Sequence, residues 1–384
     1  MDLFGKIVHP QHSVDYQSGR LRRTLIKCNR QHGFSLIELL IVMGLLAIVA
    51  AMAMDAFTVI LKQSGQTMKT VTTEIDQTIG LDILRSDIEQ AGFGLPWTFK
   101  NSITYAEAAS SPASTYNDSP SSAPRAILSG NNVSGQLNDS DYLVIKSTVV
   151  AGSDTANKWT YISNGATAPK SWGSPNDLIA TDRVIVIKPQ YDAMGNSELV
   201  MDSGTFYTTY NGIVSGSAFY PTIPQERFIV YGVSASANLL MPFNRADYYI
   251  RRPLTDMPSY CAPNTGILYK ATVNHGDGEL TEMPILDCVA DMQVVFYLGT
   301  GLSPSNDITA LTAKQIREQV KDVRVYILFH EGSMDRTYTH ETSTVTVGEG
   351  GNGSTFNLAA TIGTDWNRYR WRVITLAVKP KNIL

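Results

Sequence analysis

The residue that most clearly offers chemistry is Glu38, a carboxylate inside a long apolar run. It is the only charged residue among the 21 residues from Phe34 to Met54. As a helix this run would measure about 31 Å, close to the ~30 Å hydrocarbon core of a bilayer. A carboxylate inside such a span costs ~2–3 kcal/mol even on lenient insertion scales, and less near the end of the span. Such a residue is functional by default and needs a cationic partner, so Glu38 marks a candidate site.

A basic segment precedes the apolar run. Met1–Gly33 holds six Lys and Arg residues against two Asp residues. Because Lys and Arg are enriched on the cytoplasmic side of membrane spans, this segment predicts a cytoplasmic N-terminus, with the chain after Met54 on the outer side of the membrane. The alternatives are a simple signal-anchor, a secretory signal cut at the small-x-small pattern Ala51-Met52-Ala53, and a buried core helix. The core helix is disfavoured because the run has no polar face.

The junction of these two segments carries a recognisable motif. The run Gly33-Phe34-Ser35-Leu36-Ile37-Glu38-Leu39-Leu40 resembles the prepilin signature of type IV pilins and of type II secretion pseudopilins. The resemblance implies that a membrane aspartyl prepilin peptidase cuts between Gly33 and Phe34 and then N-methylates Phe34. Glycine at the cut offers the protease an unhindered backbone. Glu38 would pair with the Phe34 ammonium of a neighbouring subunit, because pairing two buried charges offsets their desolvation and penalises wrong registers.

The helical pattern continues beyond the apolar run. Apolar residues recur at helical spacing: Met68, Val71, Ile75, Ile79, Ile83, Leu84, Ile88 and Ala91. They predict an amphipathic stripe that packs on the following domain. Gly92, Gly94 and Pro96 form a helix stop. We therefore expect a leader over 1–33 and a long helix over 34–92 with a transmembrane half at 34–54. Three glycines are candidate sites of bending or local melting: Gly44, Gly65 and Gly80.

Two regions follow the helix. Residues 93–141 are rich in Ser, Pro and Asn and predict a surface connection, whereas 142–384 read as a β-rich extracytoplasmic domain. The candidate strands are Tyr142–Val150, Arg183–Lys188, Glu226–Val233, Tyr248–Arg252, Gly266–Val273, Met292–Leu298, Val323–His330, Ser343–Val347 and Arg370–Val378. A short helix is predicted over Thr312–Lys321. The expected fold class is α+β and pilin-like: a long N-terminal helix packed on a large, mainly antiparallel β domain.

Four further segments resemble PilW-type minor pilins. They are Leu84–Gly94, Thr181–Val186, Val323–Leu328 and Tyr369–Val373, the last followed by Val378–Asn382. Together with the N-terminal signature they extend the resemblance over most of the chain.

The cysteines predict one disulfide. Cys28 lies in the leader and leaves with it, so Cys261 and Cys288 remain as a pair. An even pair in an extracytoplasmic domain favours a disulfide over the alternative of two buried free thiols.

Several other patterns suggest chemistry, but each has a simpler explanation. Gly348–Gly353 satisfies G-x-G-x-x-G, yet strand-like residues flank it on both sides, which favours a hairpin over a nucleotide site. His330-Glu331 and His340-Glu341 lack the H-E-x-x-H spacing, so we predict strand-end polar residues and no metal site. Asp277 and Glu279 lack calcium-loop spacing and indicate a turn.

One face of the last strand is basic. Arg368, Arg370 and Arg372 alternate, so the strand would carry all three on one face, with Tyr369 and Trp371 on the other. Such a stripe can contact DNA, but a solvated or salt-bridged sheet face is the favoured interpretation.

The composition limits the classes of function. Charged residues make up 17% and hydrophobic residues 43%, and the formal net charge is -4, which argues against disorder and against a chain-wide nucleic-acid surface.

With no catalytic motif recognised, we expect a non-enzymatic minor pilin without a cofactor, which primes type IV pilus assembly and has a tip role. Its expected partners are the prepilin peptidase, other minor pilins and the major pilin, the latter two through the N-terminal helix. It would lie in the bacterial inner membrane with its C-terminal domain in the periplasm, and then in the pilus at the cell surface. The alternatives are a type II secretion pseudopilin, a pilin-anchored adhesin or DNA-uptake module, and a tethered enzyme.

Overall fold

The predicted N-terminal helix is present as α1, Leu36–Glu89. The computed structural model describes residues 35–99, 103–189, 197–349 and 351–383, so the leader and the Gly33–Phe34 bond lie outside the described residues. The chain divides into two units, Met1–Lys62 and Gln63–Leu384, and α1 contributes residues to both. After α1 the chain turns at Gly92, whose φ of 86° is a left-handed conformation that glycine adopts without strain.

The second unit contains sixteen described strands and two short helices. In chain order they are β1 (Thr98–Phe99), β2 (Ile127–Gly130), β3 (Tyr142–Ser147), β4 (Trp159–Ser163), β5 (Arg183–Pro189), β6 (Ser197–Leu199), β7 (Thr208–Thr209), β8 (Arg227–Ser234), β9 (Asn244–Arg251), β10 (Gly266–Val273), β11 (Leu280–Leu298), β12 (Ser303–Ser305), α2 (Ala313–Gln319), β13 (Val320–Glu331), β14 (Thr344–Glu349), β15 (Asn352–Asn357), α3 (Leu358–Ile362) and β16 (Arg370–Val378). Each predicted strand and the predicted helix has a counterpart here.

These strands form two larger sheets and a hairpin. Among the described residues, the larger sheet has the order β16-β13-β11-β10-β9-β3-β2, with β12 paired to β11. The smaller has the order β1-β6-β5-β8-β4, with β7 paired to β5, and β14 and β15 form a separate hairpin. All described pairs are antiparallel except β1 with β6. The fold is therefore α+β with a large, mainly antiparallel β domain, as predicted.

Strand β11 is much longer than its predicted part. It begins at Leu280, although the sequence pattern pointed only to Met292–Leu298. Its first five residues, Leu280–Pro284, are exposed or half-buried and end in a proline, so they lack the apolar signal of a buried strand. The pairing with β10 shifts register next to Cys288, which has a φ of 58°, so a bulge separates the two halves.

Residues 93–141 differ from the expected surface connection. This segment supplies β1 and β2 and buries apolar side chains in the main core: Ile103, Tyr105, Ala108, Ala113, Tyr116, Ala126, Ile127 and Leu128. Tyr116 stacks on Tyr142 of β3 with ring centroids 4.9 Å apart. The segment thus forms part of the folded domain, even though its composition resembles that of a loop.

A buried ionic cluster also holds this segment. Lys146 Nζ lies 2.6 Å from Glu107 and 2.7 Å from Asp118, and these side chains are at most 4% exposed. Arg245 binds both carboxylate oxygens of Asp247 and also reaches Glu107 at 3.1 Å. Because each buried charge has opposite charges as neighbours, the desolvation of the cluster is offset within the fold.

The last turns of α1 pack on the larger sheet within the second unit. Leu84, Ile88 and Ala91 are fully buried, as the predicted stripe requires, but Ile79 is 57% exposed and departs from it. The side chains of the earlier stripe members Met68, Val71 and Ile75 lie outside the described residues. Gly80 is buried so close to β11 that a Cβ there would meet the Ile285 carbonyl oxygen at 2.0 Å. This glycine allows close packing, and α1 continues through it as a helix, without local melting.

Candidate functional site

The start of α1 is the part of the sequence motif that the structure describes. Ser35 precedes the helix, and its Oγ accepts a hydrogen bond from the Ile37 backbone N–H at 3.2 Å. Glu38 Oε2 in turn accepts the Ser35 backbone N–H at 3.0 Å. These two hydrogen bonds cap the helix start in the manner of a capping box, except that Ser35 Oγ accepts from the second helical residue instead of the third. They satisfy two backbone donors that a helix start otherwise leaves open.

The capping role of Glu38 was missed in our sequence interpretation. The signal was present as S-x-x-E immediately before an apolar run, the usual pattern of a capping box. A carboxylate in the first turn also interacts favourably with the positive end of the helix dipole. Glu38 is therefore a structural residue of this helix start as well as a candidate for charge pairing.

Glu38 keeps one carboxylate oxygen available. Its side chain is exposed, and Oε1 has no hydrogen-bond or ion-pair partner among the described residues. The apolar side chains that follow on the helix are exposed as well, with Leu36 at 78%, Leu46 at 68% and Met54 at 73%. An acceptor surrounded by exposed hydrocarbon suits a cation delivered by another chain in a water-poor setting.

The helix that carries Glu38 has the dimensions of a membrane span. Within the described part of the chain, one segment is long and apolar enough to cross a bilayer: Leu36–Thr58, with 23 residues. None of its most apolar window is buried inside the fold. By its length and composition the segment fits a membrane anchor.

Comparison with known proteins recognises the same region. A family described as "Prokaryotic N-terminal methylation motif" matches residues 28–54. No curated protein and no solved structure matches the chain. The motif and the exposed apolar helix together support a type IV pilin-like or pseudopilin-like protein. The matched range contains Gly33, Phe34 and Glu38, the residues that the sequence singled out.

The predicted disulfide is present in the second unit. Cys261 and Cys288 are bonded, with their Cα atoms 4.9 Å apart, and Cys288 sits at the β11 bulge. His330 of β13 lies beside them, so its ring nitrogen and the two sulfurs fall within 4.8 Å of one another. The sulfurs bind each other and are therefore not thiolate ligands, which metal binding would require.

His330 is a core residue. Its Nε2 accepts the Ala262 backbone N–H at 2.8 Å, and its ring packs 4.6 Å from Tyr369 and 5.1 Å from Trp371. Burial lowers the pKa of His330 to about 4, so the imidazole is neutral at pH 7. These contacts give it a structural explanation within the aromatic core.

The basic face of β16 is engaged within the domain. Arg370 pairs with Asp335 at 3.0 Å, and Arg372 pairs with Glu331 at 3.0 Å. Arg368 lies before the strand in a short helical turn and donates to backbone carbonyl oxygens of residues 336 and 338. The expectation that all three arginines share a strand face is therefore wrong for Arg368.

The G-x-G-x-x-G segment is a hairpin. Gly348 of β14 pairs with Gly353 of β15 across the two-stranded sheet. A strand follows the motif where a dinucleotide site would require a helix, so the rejection of a nucleotide loop agrees with the structure.

Proposed function

We propose that this chain is a minor pilin: a structural, non-enzymatic subunit that enters a type IV pilus through its N-terminal helix and helps to prime assembly. The observation that carries the proposal is Glu38, whose Oε1 has no partner among the described residues and lies on an exposed apolar helix inside the matched methylation motif. The large β domain after the helix fits a subunit that presents a bulky head, as expected near a filament tip.

The proposed steps follow from the chemistry of the motif. A prepilin peptidase cuts the Gly33–Phe34 peptide bond, which releases the basic leader and leaves an ammonium on Phe34. N-methylation of this amine retains its positive charge. The Phe34 ammonium of one subunit then pairs with Glu38 of a neighbour, a major or minor pilin, when both leave the bilayer for the filament. The pair penalises a wrong axial register, since a displaced subunit would leave both charges unpaired in an apolar setting.

In this proposal the protein occupies two compartments in succession. Before assembly, α1 anchors it in the bacterial inner membrane with the β domain in the periplasm, as the basic leader favours. After assembly it lies in the pilus at the cell surface. The proposal assigns the β domain no catalysis and no nucleic-acid binding.

The first test concerns processing. Mass spectrometry of the protein purified from its own membrane should find a mature chain that starts with N-methylated Phe34. An intact leader, or a start after Ala53, would contradict the pilin assignment and favour a signal-anchor or a secretory signal.

The second test separates the two roles of Glu38. Glu38→Gln keeps an amide oxygen for the Ser35 N–H but removes the charge, whereas Glu38→Val removes both. We expect both variants to be cleaved normally and both to be depleted from sheared pili about tenfold or more, since an unpaired buried ammonium costs several kcal/mol. Asp55→Asn, which removes another exposed carboxylate of α1, is the matched control and should incorporate normally. Normal incorporation of Glu38→Gln would refute the charge pair.

The competing assignment is a type II secretion pseudopilin, which uses the same motif. Deletion of the gene distinguishes the two: loss of surface pili supports the pilus assignment, and loss of protein secretion with normal pili supports the pseudopilin.

A further inference from the structure

The second unit contains a basic cavity that the pilin assignment does not use. It has a volume of about 570 Å³ and lies between Trp97, the segment 117–125 and the start of α2. Sites for small molecules typically measure ~300–1,000 Å³, so this cavity is large enough for a ligand of modest size. All of its lining residues belong to the second unit.

The central residue of the cavity is Arg317 of α2. It is 8% exposed and lines the cavity, and its guanidinium carbon lies 4.5 Å from the centre of the Trp97 ring. Among the residues that the structure describes, Arg317 has no hydrogen-bond or ion-pair partner. Burial lowers its pKa, although the negative charge of Glu318 opposes this shift. A buried guanidinium in this condition is costly unless an anion joins it.

Local structure fixes the position of Arg317. Thr312 and Gln315 form a capping box at the start of α2, so the helix has a defined beginning. Ile316, the preceding residue, is fully buried in the main core. Stacking on Trp97 orients the planar guanidinium, and an oriented fork of N–H donors matches the geometry of a carboxylate or a phosphate.

The other charges of the cavity leave it positive. Among the described residues that line it, Asp118 is the only acidic one, and its two oxygens are occupied by Arg125 at 2.6 Å and by Lys146 at 2.7 Å. Lys314 lies at the rim, 53% exposed, and its nearest acid, Glu318, is 3.8 Å away. Arg125 is therefore engaged with Asp118, and Arg317 and Lys314 are the lining cations that Asp118 does not neutralise.

We propose that this cavity binds a small ligand through an oxyanion group, either a carboxylate or a phosphate. The Arg317 guanidinium holds this group, and the Lys314 ammonium adds a second positive charge. The site is independent of the filament role of α1. A carboxylate would come from an acidic sugar or another organic acid, and a phosphate from the free ion or from a phosphorylated small molecule.

Calorimetric titration of the full chain, in an uncharged detergent that contains no sugar, tests the site. The probes are inorganic phosphate, glucuronate and neutral glucose. We expect saturable one-to-one binding of at least one of the two anions, none of glucose, and affinity that falls as salt is added. Binding of glucuronate alone identifies the carboxylate source, and binding of phosphate alone identifies the phosphate source.

Variants connect the binding to Arg317. Arg317→Gln should weaken it ~10–100-fold, as expected for loss of a charge-assisted hydrogen bond, and Arg317→Lys should weaken it less because the charge remains. If Arg317→Gln does not fold, Lys314→Gln at the exposed rim should still lower affinity severalfold. The matched control is Arg227→Gln, since Arg227 stacks on Tyr161 at 4.4 Å outside the cavity. Absence of saturable binding by both anions, or equal affinity in wild type and Arg317→Gln, would overturn the proposal.

Discussion

The ion pair between Asp87 and Lys270 is predicted to hold the last turns of α1 on the larger sheet. Lys270 Nζ lies 2.6 Å from Asp87 Oδ2, and the two side chains are 8% and 11% exposed respectively. Tyr248 donates its hydroxyl to the same oxygen at 2.5 Å. Removing one partner of a buried pair leaves an uncompensated charge and typically costs ~3–5 kcal/mol. We therefore expect Lys270→Met to lower the free energy of unfolding of the second unit by that amount at pH 7.

The assay is urea unfolding of the full chain in detergent, followed by tryptophan fluorescence. All five tryptophans lie beyond Gln63, so the signal reports on the second unit. A double variant, Asp87→Leu with Lys270→Met, should recover most of the loss, because it leaves no buried charge. Lys314→Met is the matched control, since its pair with Glu318 is exposed and 3.8 Å long, and it should change stability by less than ~0.5 kcal/mol.

The pH dependence gives a second test of the same pair. Burial raises the pKa of Asp87 above its usual value, although Lys270 and Tyr248 oppose this shift. Without Lys270 the pKa rises further, so the folded Lys270→Met variant binds a proton at a higher pH than the unfolded chain does. Its stability deficit should therefore shrink as the pH falls from 7 toward 4. A deficit below ~1 kcal/mol at pH 7, or one that does not change with pH, would refute the reasoning.

Three further predictions concern the second unit. Replacing both Cys261 and Cys288 with Ser should lower unfolding free energy by ~3–4 kcal/mol in denaturant titrations, from the loop entropy of a separation of 27 residues; an unchanged midpoint would contradict this. Burial raises the pKa of Asp141 to about 7, so wild type should gain unfolding free energy relative to Asp141→Asn as pH falls from about 7 to about 4. Parallel pH profiles of unfolding free energy for the two proteins would contradict this prediction. Gly80→Ala should cost ~1–3 kcal/mol, because its methyl group meets a strand carbonyl, whereas Gly44→Ala, with nothing within 4 Å, should not destabilise.

The sequence predicted the features that depend on local periodicity or on context. The apolar run and the stop at Gly92 defined α1, and stretches rich in Val, Ile, Tyr and Thr between turn residues located nine of the strands. The pairing of Cys261 with Cys288 followed from the expected compartment and the even number of cysteines. Exposure of Ile79 was not foreseen, because helical spacing alone does not show how much of a stripe its neighbours cover.

What the sequence did not predict depends on contacts between distant residues. Glu107 and Arg245 are 138 residues apart, and each looks like an ordinary surface charge until the fold buries them together. For the same reason the polar composition of residues 93–141 suggested a loop, although its carboxylates neutralise strand cations. The Arg317 stack on Trp97 likewise joins segments that share no local pattern.

The cap on the Ser35 N–H and the proposed subunit pair place two demands on the same carboxylate, and the geometry allows both. A helix that starts in or near lipid has backbone N–H groups that water cannot satisfy, so a cap at this position matters more than on a soluble helix. Glu38 meets this demand with Oε2 alone and leaves Oε1 for an external cation. Glutamate is thus better suited than either a neutral cap or an apolar residue, since Gln would cap without pairing and Val would do neither. Glu38→Gln and Glu38→Val should therefore incorporate equally poorly if pairing dominates, but only Glu38→Val should also destabilise the helix start.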